Sequence, residues 1–328
     1  MPVQAVVVDK FEGLDSISLK AHDPGAPGAG EVRVRIVVAG VSYVDVLVAE
    51  GLYQLRPPLP FVPGSEFAGV IEAVGDGVDP ARIGERVMAT AFGLAFAEAA
   101  VIPAASAALV PADMDFTTAS VFRVSYITAY YALVRRGLLQ ADESVLVLGA
   151  GGAIGVAAVQ IAKAFGARVI GSASSEEKRT VAMEAGADAV VDTRSDNWRD
   201  AVKAANDGKP VDIVVDPVGG ALTEPAFRSL AWNGRHLVIG FASGDIARLP
   251  VNLPLLKGAA LIGVDARQFG IKEPDSVRED FKALMALHAR GALRPHIART
   301  YPLARFKEAM GDAKGGAMAG RIVLTMDD

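Results

Sequence analysis

One turn limits the folding of this 328-residue chain more than any other feature. Four apolar residues, Val145 to Leu148, run into Gly149-Ala150-Gly151-Gly152-Ala153-Ile154-Gly155, and a helix-like segment extends from there to Phe165. A strand that turns sharply into a helix aims backbone N–H groups and the positive end of the helix dipole at one point, which suits an anion. Glycines are needed there because side chains would block the approach of a pyrophosphate. The pattern is Ala-x-Gly-x-x-Gly, with Ala150 at the usual first glycine. Ala150, Gly151, Gly152, Ala153, Ile154 and Gly155 are therefore expected to hold a dinucleotide.

The segments C-terminal to the turn strengthen that reading. Strands are expected at 168–170, 189–191, 211–215, 236–239 and 259–264, alternating with helices at 176–185, 197–205 and 222–230. Short apolar strands separated by amphipathic helices predict a doubly wound parallel sheet of the Rossmann type. The first third reads differently. Runs at 3–8, 32–38, 67–74 and 86–89 are β-branched and are separated by Gly/Pro/Asp turns, with one short helix at 43–50. That rhythm predicts a compact β-rich domain. Towards the C-terminus, helices are expected at 277–290 and 303–312, and a strand at 321–325.

The end of the second strand of the parallel sheet selects the cofactor. NAD-binding chains usually carry an acid about 20 residues after the glycines, accepting from the ribose hydroxyl. Here the strand runs into Gly171-Ser172-Ala173-Ser174 with no carboxylate. Ser172, Ser174 and Ser175 offer hydroxyls to a 2′-phosphate and Lys178 offers a charge, so NADPH is expected over NADH. Ser174 and Glu177 also fit a helix-capping box.

Composition excludes several classes. The net charge of −5 argues against a nucleic-acid surface. The chain has no cysteine, hence no disulfide, thiolate metal site or cysteine nucleophile. The N-terminus lacks a signal-peptide pattern, and the apolar stretch 92–110 contains Glu98 and Pro103, so no membrane span is expected and a cytoplasmic location is the default.

Several motifs together resemble one family: Gly40-Val41-Ser42-Tyr43-Val44-Asp45, Pro60 to Gly69, Tyr126-Ile127-Thr128-Ala129-Tyr130, the glycine-rich turn, and Asp216-Pro217-Val218-Gly219-Gly220. The chain resembles the zeta-crystallin-like quinone oxidoreductases of the medium-chain dehydrogenase/reductase superfamily over nearly its whole length. That resemblance implies an α/β architecture: a GroES-like β-rich catalytic domain from residues 1–120 and 266–328, around a doubly wound Rossmann cofactor domain from 121–265. It implies a nicotinamide held in the cleft between them, lined by Thr128, Val218, Gly219, Gly240 and Phe241. It also implies a homodimer paired through an edge strand such as 259–264.

Zinc-dependent relatives hold their metal through Cys, His and Cys. By motif, those places are Ser42, Ser65 and Val124 here, none a plausible zinc ligand. The four histidines share no ligand spacing and read as surface or packing residues. Without a Lewis acid, hydride delivery suits acceptors already activated by conjugation, namely quinones and α,β-unsaturated carbonyls. Reduction of an enone also needs a proton. Tyr53 is the expected donor by resemblance to enoyl reductases, with Tyr43 second.

The chain departs from the family pattern at the substrate side. Ser42 stands where an Asn is usual, Arg123 and Ile127 replace a proline and a glycine, Thr193 replaces a tyrosine, and Asp265 to Phe269 replaces an aromatic run. Arg123 and Arg267 are candidates to bind an anionic group on a conjugated substrate. Two rivals to quinone or enone reduction stay open: an enoyl-thioester reductase, and a non-catalytic NADPH-binding structural or regulatory protein.

Overall fold

The computed structural model describes residues 2–326 and divides into two compact units, 1–124 with 297–328 and 125–296.

The first unit opens with β1 (Val3–Val7) and β2 (Ser18–His22), which pair antiparallel. Then come β3 (Glu31–Val41), α1 (Tyr43–Ala49), β4 (Glu66–Val74), β5 (Arg86–Thr90), β6 (Ala99–Pro103), β7 (Ala108–Leu109) and α2 (Phe116–Ala119). In β3 the side chains of Val32, Val34 and Ile36 are buried while Arg35 is exposed, the two-residue alternation of a sheet with one wet face. β3 pairs with β4 on one edge and shares its other edge between β6 and the C-terminal strand β15 (Arg321–Thr325). This is the β-rich domain expected from the sequence. β2, β6 and β7 escaped the sequence reading because their residues lack β-branched alternation.

The border falls within α3 (Phe122–Tyr130), which continues as a π-helical stretch, Tyr131–Arg136. Val124, Ile127 and Thr128 are weak helix formers, so this helix was legible only as a motif. The second unit then runs β8 (Ser144–Leu148), α4 (Ala153–Ala164), β9 (Arg168–Ala173), α5 (Glu176–Glu184), β10 (Ala189–Asp192), α6 (Trp198–Ala205), β11 (Val211–Asp216), α7 (Thr223–Arg228), β12 (Leu230–Val238), α8 (Asn252–Lys257), β13 (Ala260–Gly263), α9 (Ala266–Lys272) and α10 (Pro274–Ala289). Its six strands are all parallel, in the order β10-β9-β8-β11-β12-β13. Every residue of β8 is buried, as a central strand covered on both faces requires. The order reverses at β8, so a crevice opens beyond the C-terminal ends of β8 and β11.

The chain returns to the first unit as β14 (Ile297–Pro302), α11 (Phe306–Gly315) and β15, with β15 pairing antiparallel to β3. The family resemblance implies a return at residue 266. In the structure α9 and α10 belong to the second unit instead. Phe269 stacks on Tyr131 with ring centroids 4.0 Å apart, and Asp280 receives two hydrogen bonds from Arg135. Arg135 and Asp280 are 145 residues apart in sequence, and no local pattern announces such a contact. No helix among the described residues is long and apolar enough to cross a membrane.

Candidate cofactor and active site

The turn after β8 has the geometry the sequence predicted. Gly149 adopts φ +60°, a left-handed conformation that favours glycine. A Cβ on Gly151 would lie 2.4 Å from the Lys178 carbonyl oxygen, and one on Gly155 would lie 2.2 Å from that of Gly149. The first contact brings α5 directly onto the turn; the second packs α4 against it. Ala150 is fully buried and its N–H donates to the Ser172 carbonyl. Gly152 is the N-cap of α4 with no side chain to fill the cap. Ala153 and Ile154 form the first turn of that helix, so their N–H groups lack intrahelical partners. The cradle that side chains would fill fits a dinucleotide pyrophosphate.

Beside it, Asp216 at the end of β11 organises the next loop. Its Oδ1 accepts from the N–H groups of Val218 (3.0 Å) and Gly219 (2.8 Å). Its Oδ2 accepts from the Thr223 hydroxyl (2.7 Å) and from His236 Nε2 (3.0 Å). Burial works to raise the Asp216 carboxyl, but the His236, Gly219 and Thr223 hydrogen bonds hold it below its ordinary value. Gly219 has φ +71° and faces Phe241, whose Cδ1 would lie 2.8 Å from a Cβ there. The Gly240 N–H donates to the Asp216 carbonyl, and that of Ser243 to the Val218 carbonyl. Val218 in turn reaches Gly149, where a Cβ would be 3.0 Å from Val218 Cγ2. The structure thus brings Val218, Gly219, Gly240, Phe241 and the phosphate turn together at the C-terminal ends of β8, β11 and β12. Thr128 is buried on α3 of the same unit. Asp216 heads the Asp-Pro-Val-Gly-Gly motif, but nothing local marks it as the organiser, and His236, expected as a surface or packing residue, is one of its hydrogen-bond partners.

The corner where β9 meets α5 corrects two expectations. Ser172 is fully buried and its hydroxyl donates to the Val147 carbonyl, so it is spent on the sheet and offers nothing to a phosphate. The α5 cap is Ser175, which accepts from the Lys178 N–H, and not Ser174, which is exposed. Lys178 is half-buried, and burial lowers its ammonium pKa. Arg179 and Arg194, which no local motif marks, stand at the same corner. Arg179 Nη1 lies 3.2 Å from the Ala173 carbonyl and 3.0 Å from Asp192 Oδ2. Arg194 grips the same carboxylate through Nε and Nη2. Hydrogen bonds from Arg194 hold the Asp192 carboxyl at about 2, below its ordinary 3.8. Since the folded value is depressed, this ion pair is complete above the ordinary carboxylate pKa and is lost as pH falls through about 2.

In the first unit, the three zinc-ligand positions are wired to carboxylates. The Ser42 hydroxyl donates to Asp45 Oδ2 at 2.7 Å, while the Asp45 N–H donates back in a capping box at the start of α1. Ser65 is a further hydrogen-bond partner of Asp45. The Val124 N–H donates to Glu66, which is also paired with Arg321. Burial raises both carboxyls above their usual range, against the hydrogen bonds from Ser42 and Ser65 on Asp45 and the pull of Arg321 on Glu66. Two hydroxyls and a valine do not make a zinc site, and no group of three or more His, Cys, Asp or Glu among the described residues is placed to hold a metal. Tyr43 begins α1, and Tyr53 lies in the loop after it; both are half-buried. Arg123 does not stand ready for an anion: its Nη1 donates to the Ser106 carbonyl at 2.8 Å and its charge interacts with Glu66. Arg267 is exposed on α9, a helix formed by the stretch that replaces the family's aromatic run.

Two family models match this chain. One, described as zinc-binding dehydrogenase, matches residues 153–290; the other, an alcohol dehydrogenase GroES-like domain, matches residues 28–112. A quinone oxidoreductase-like protein 2 homolog of Nematostella vectensis is 34% identical over 300 residues, covering 90% of this chain and 82% of that protein. The quinone oxidoreductase of Homo sapiens is 31% identical over 331 residues, covering 99% and 98%. A mycobacterial structure complexed with NADPH superposes with a TM-score of 0.89 at 29% identity, covering 98% of this chain and 99% of that one.

Proposed function

The chain belongs to the zinc-free quinone oxidoreductase branch of the medium-chain dehydrogenase/reductase superfamily, and on that premise we propose that it is an NADPH-dependent reductase of quinones or α,β-unsaturated carbonyls, acting as a cytoplasmic homodimer. As an oxidoreductase built to bind a nicotinamide cofactor, it needs only its acceptor and its cofactor preference specified. The observation that carries the acceptor class is the occupation of the zinc positions by Ser42, Ser65 and Val124, each committed to Asp45 or Glu66. No step is routed through zinc.

Bound NADPH supplies a hydride from its reduced nicotinamide. The residues of this chain bind and orient it. N–H groups at the start of α4 would hold the pyrophosphate, and Asp216 fixes the Val218–Gly219 loop that would orient the nicotinamide. Ser174, Ser175 and Lys178 would hold the 2′-phosphate. On the substrate side Tyr53 donates the proton that completes reduction of an enone, with Ser42 and Tyr43 lining the acceptor and Arg267 the cation for an anionic substituent. The test is NADPH oxidation across quinones, enones, enoic acids and enoyl thioesters. Turnover of thioesters alone supports the enoyl-thioester reductase, and tight NADPH binding with no turnover supports a non-catalytic role.

Three variants separate the parts. Lys178→Ala is expected to raise the KM for NADPH about tenfold while leaving that for NADH within about twofold, since a lone 2′-phosphate contact is a charge-assisted hydrogen bond; equal effects on both cofactors count against NADPH. Tyr53→Phe is expected to lower kcat on enones by about a hundredfold and leave quinones untouched, as general acid catalysis is worth roughly that much. The proposed dimer would pair through β13, the last strand of the parallel sheet, whose outer edge meets no further strand among the described residues. Around it Leu255 and Leu256 of α8 are 78% and 68% exposed and Leu261 is 48% exposed. An apolar open edge is a pairing site, and a second copy related by a twofold axis satisfies it with its own β13. Leu261→Lys is expected to give a monomer by light scattering with cofactor binding intact.

A further inference from the structure

Three charged side chains that the proposed chemistry does not use converge at one corner of the parallel sheet. Asp192 ends β10, Arg194 lies two residues on, and Arg179 reaches across from the first turns of α5. The Ala173 carbonyl at the end of β9 accepts from Arg179 and also from the Thr193 N–H, which fixes all three at the ends of neighbouring strands. Asp192 Oδ2 lies 3.0 Å from Arg179 Nη1 and 3.1 Å from Arg194 Nη2, and Oδ1 takes the Arg194 N–H at 2.9 Å. One carboxylate therefore holds two guanidinium groups in place. Lys178, the residue before Arg179, packs its backbone on Gly151 of the phosphate turn. This corner lies beside the ribose end of any dinucleotide seated on that turn.

A carboxylate bridging two guanidinium groups is an anion already in an anion's place. We propose that Asp192 is a specificity-determining residue: it occupies the position between Arg179 and Arg194 that a 2′-phosphate would otherwise share, and so limits how strongly the chain prefers NADPH over NADH. The inference rests on the NADPH reading. Arg179 and Arg194 attract the 2′-phosphate, while Asp192 both repels it and neutralises the two cations. NADH carries a 2′-hydroxyl there and feels little of this charge. The side chain of Asp192 is partly open to solvent, so a neutral replacement at that position leaves the core untouched. An amide still accepts the Arg194 N–H and keeps the local turn.

The test measures dissociation constants of NADPH and NADH by titration calorimetry, with no turnover required. For Asp192→Asn the NADPH constant is expected to fall about tenfold, as removal of one like charge from beside a phosphate dianion implies, and the NADH constant to stay within about twofold. For Arg194→Ala the NADPH constant is expected to rise about fivefold, again with NADH unchanged. Both effects shrink at high salt. If the wild type binds the two cofactors equally, the NADPH reading itself fails. If the wild type prefers NADPH and Lys178→Ala removes that preference while Asp192→Asn and Arg194→Ala leave both constants unchanged, the NADPH reading stands and this inference falls. Weakened NADH binding in Asp192→Asn overturns it as well, since Asp192 would then be a ribose ligand.

Discussion

Gly151→Ala is expected to raise the NADPH dissociation constant by about a hundredfold, equivalent to about 2.7 kcal/mol. The added methyl would meet backbone, not a side chain able to swing away: the Lys178 carbonyl oxygen at 2.4 Å and the Lys178 Cα at 2.7 Å. Either the turn or the first turn of α5 must shift, and both carry the groups proposed to hold the cofactor. The N–H groups that face the pyrophosphate then lose their aim, and a charge-assisted hydrogen bond weakens steeply with angle. Strain at one contact is expected to cost the fold about 1–3 kcal/mol. Circular dichroism should therefore show a folded protein with a lowered melting point, and calorimetry should show lost binding of both NADPH and NADH. Full retention of binding would mean that the dinucleotide sits elsewhere.

Arg321→Met is expected to destabilise the first unit by about 3–5 kcal/mol, because it strands the buried Glu66 carboxylate. Arg321 and Glu66 are both nearly inaccessible, and Gly40 is what lets the guanidinium in: a Cβ there would lie 2.9 Å from Arg321 Nη2. The loss should depend on pH in a definite direction. Without Arg321, burial lifts the Glu66 carboxyl further above its ordinary 4.5. A group whose folded pKa is raised stabilises fully below its unfolded pKa, and that stabilisation is lost as pH rises through the folded value. The deficit of Arg321→Met against the wild type should thus be smaller at about pH 5 than at about pH 8 in urea unfolding. Adding Glu66→Gln should recover part of it at the higher pH. A deficit that is flat with pH would show that lost packing, not a stranded charge, is the cause.

The elements of the parallel sheet were legible because their signals are local. An all-apolar strand such as β8, a glycine-rich turn and an amphipathic helix such as α6, which buries Trp198 and Val202, each declare themselves within a short stretch of chain. α3 and α9 were not legible as helices, since β-branched residues in one and Gly270 in the other weaken the local preference that packing then overrides. The same division runs through the site. The turn could be named residue by residue because glycine is required by backbone geometry. Ser172 could not be judged, because whether a hydroxyl faces a ligand or the Val147 carbonyl depends on the neighbouring strand.

By itself the sequence determined the glycine-rich turn at 149–155, the absence of an acid at the end of β9, and the absence of metal-ligating side chains at Ser42, Ser65 and Val124. All three come from residue identity at positions set by short-range backbone rules. Only the tertiary structure decided that Ser175 caps α5, that Arg123 is bound to the Ser106 carbonyl, that α9 and α10 belong with the parallel sheet, and that Asp192 draws Arg179 and Arg194 to one corner. The physical reason is range. A glycine's allowed φ is a property of one residue, whereas an ion pair or a committed hydroxyl is a distance between residues that the chain brings together only when it folds.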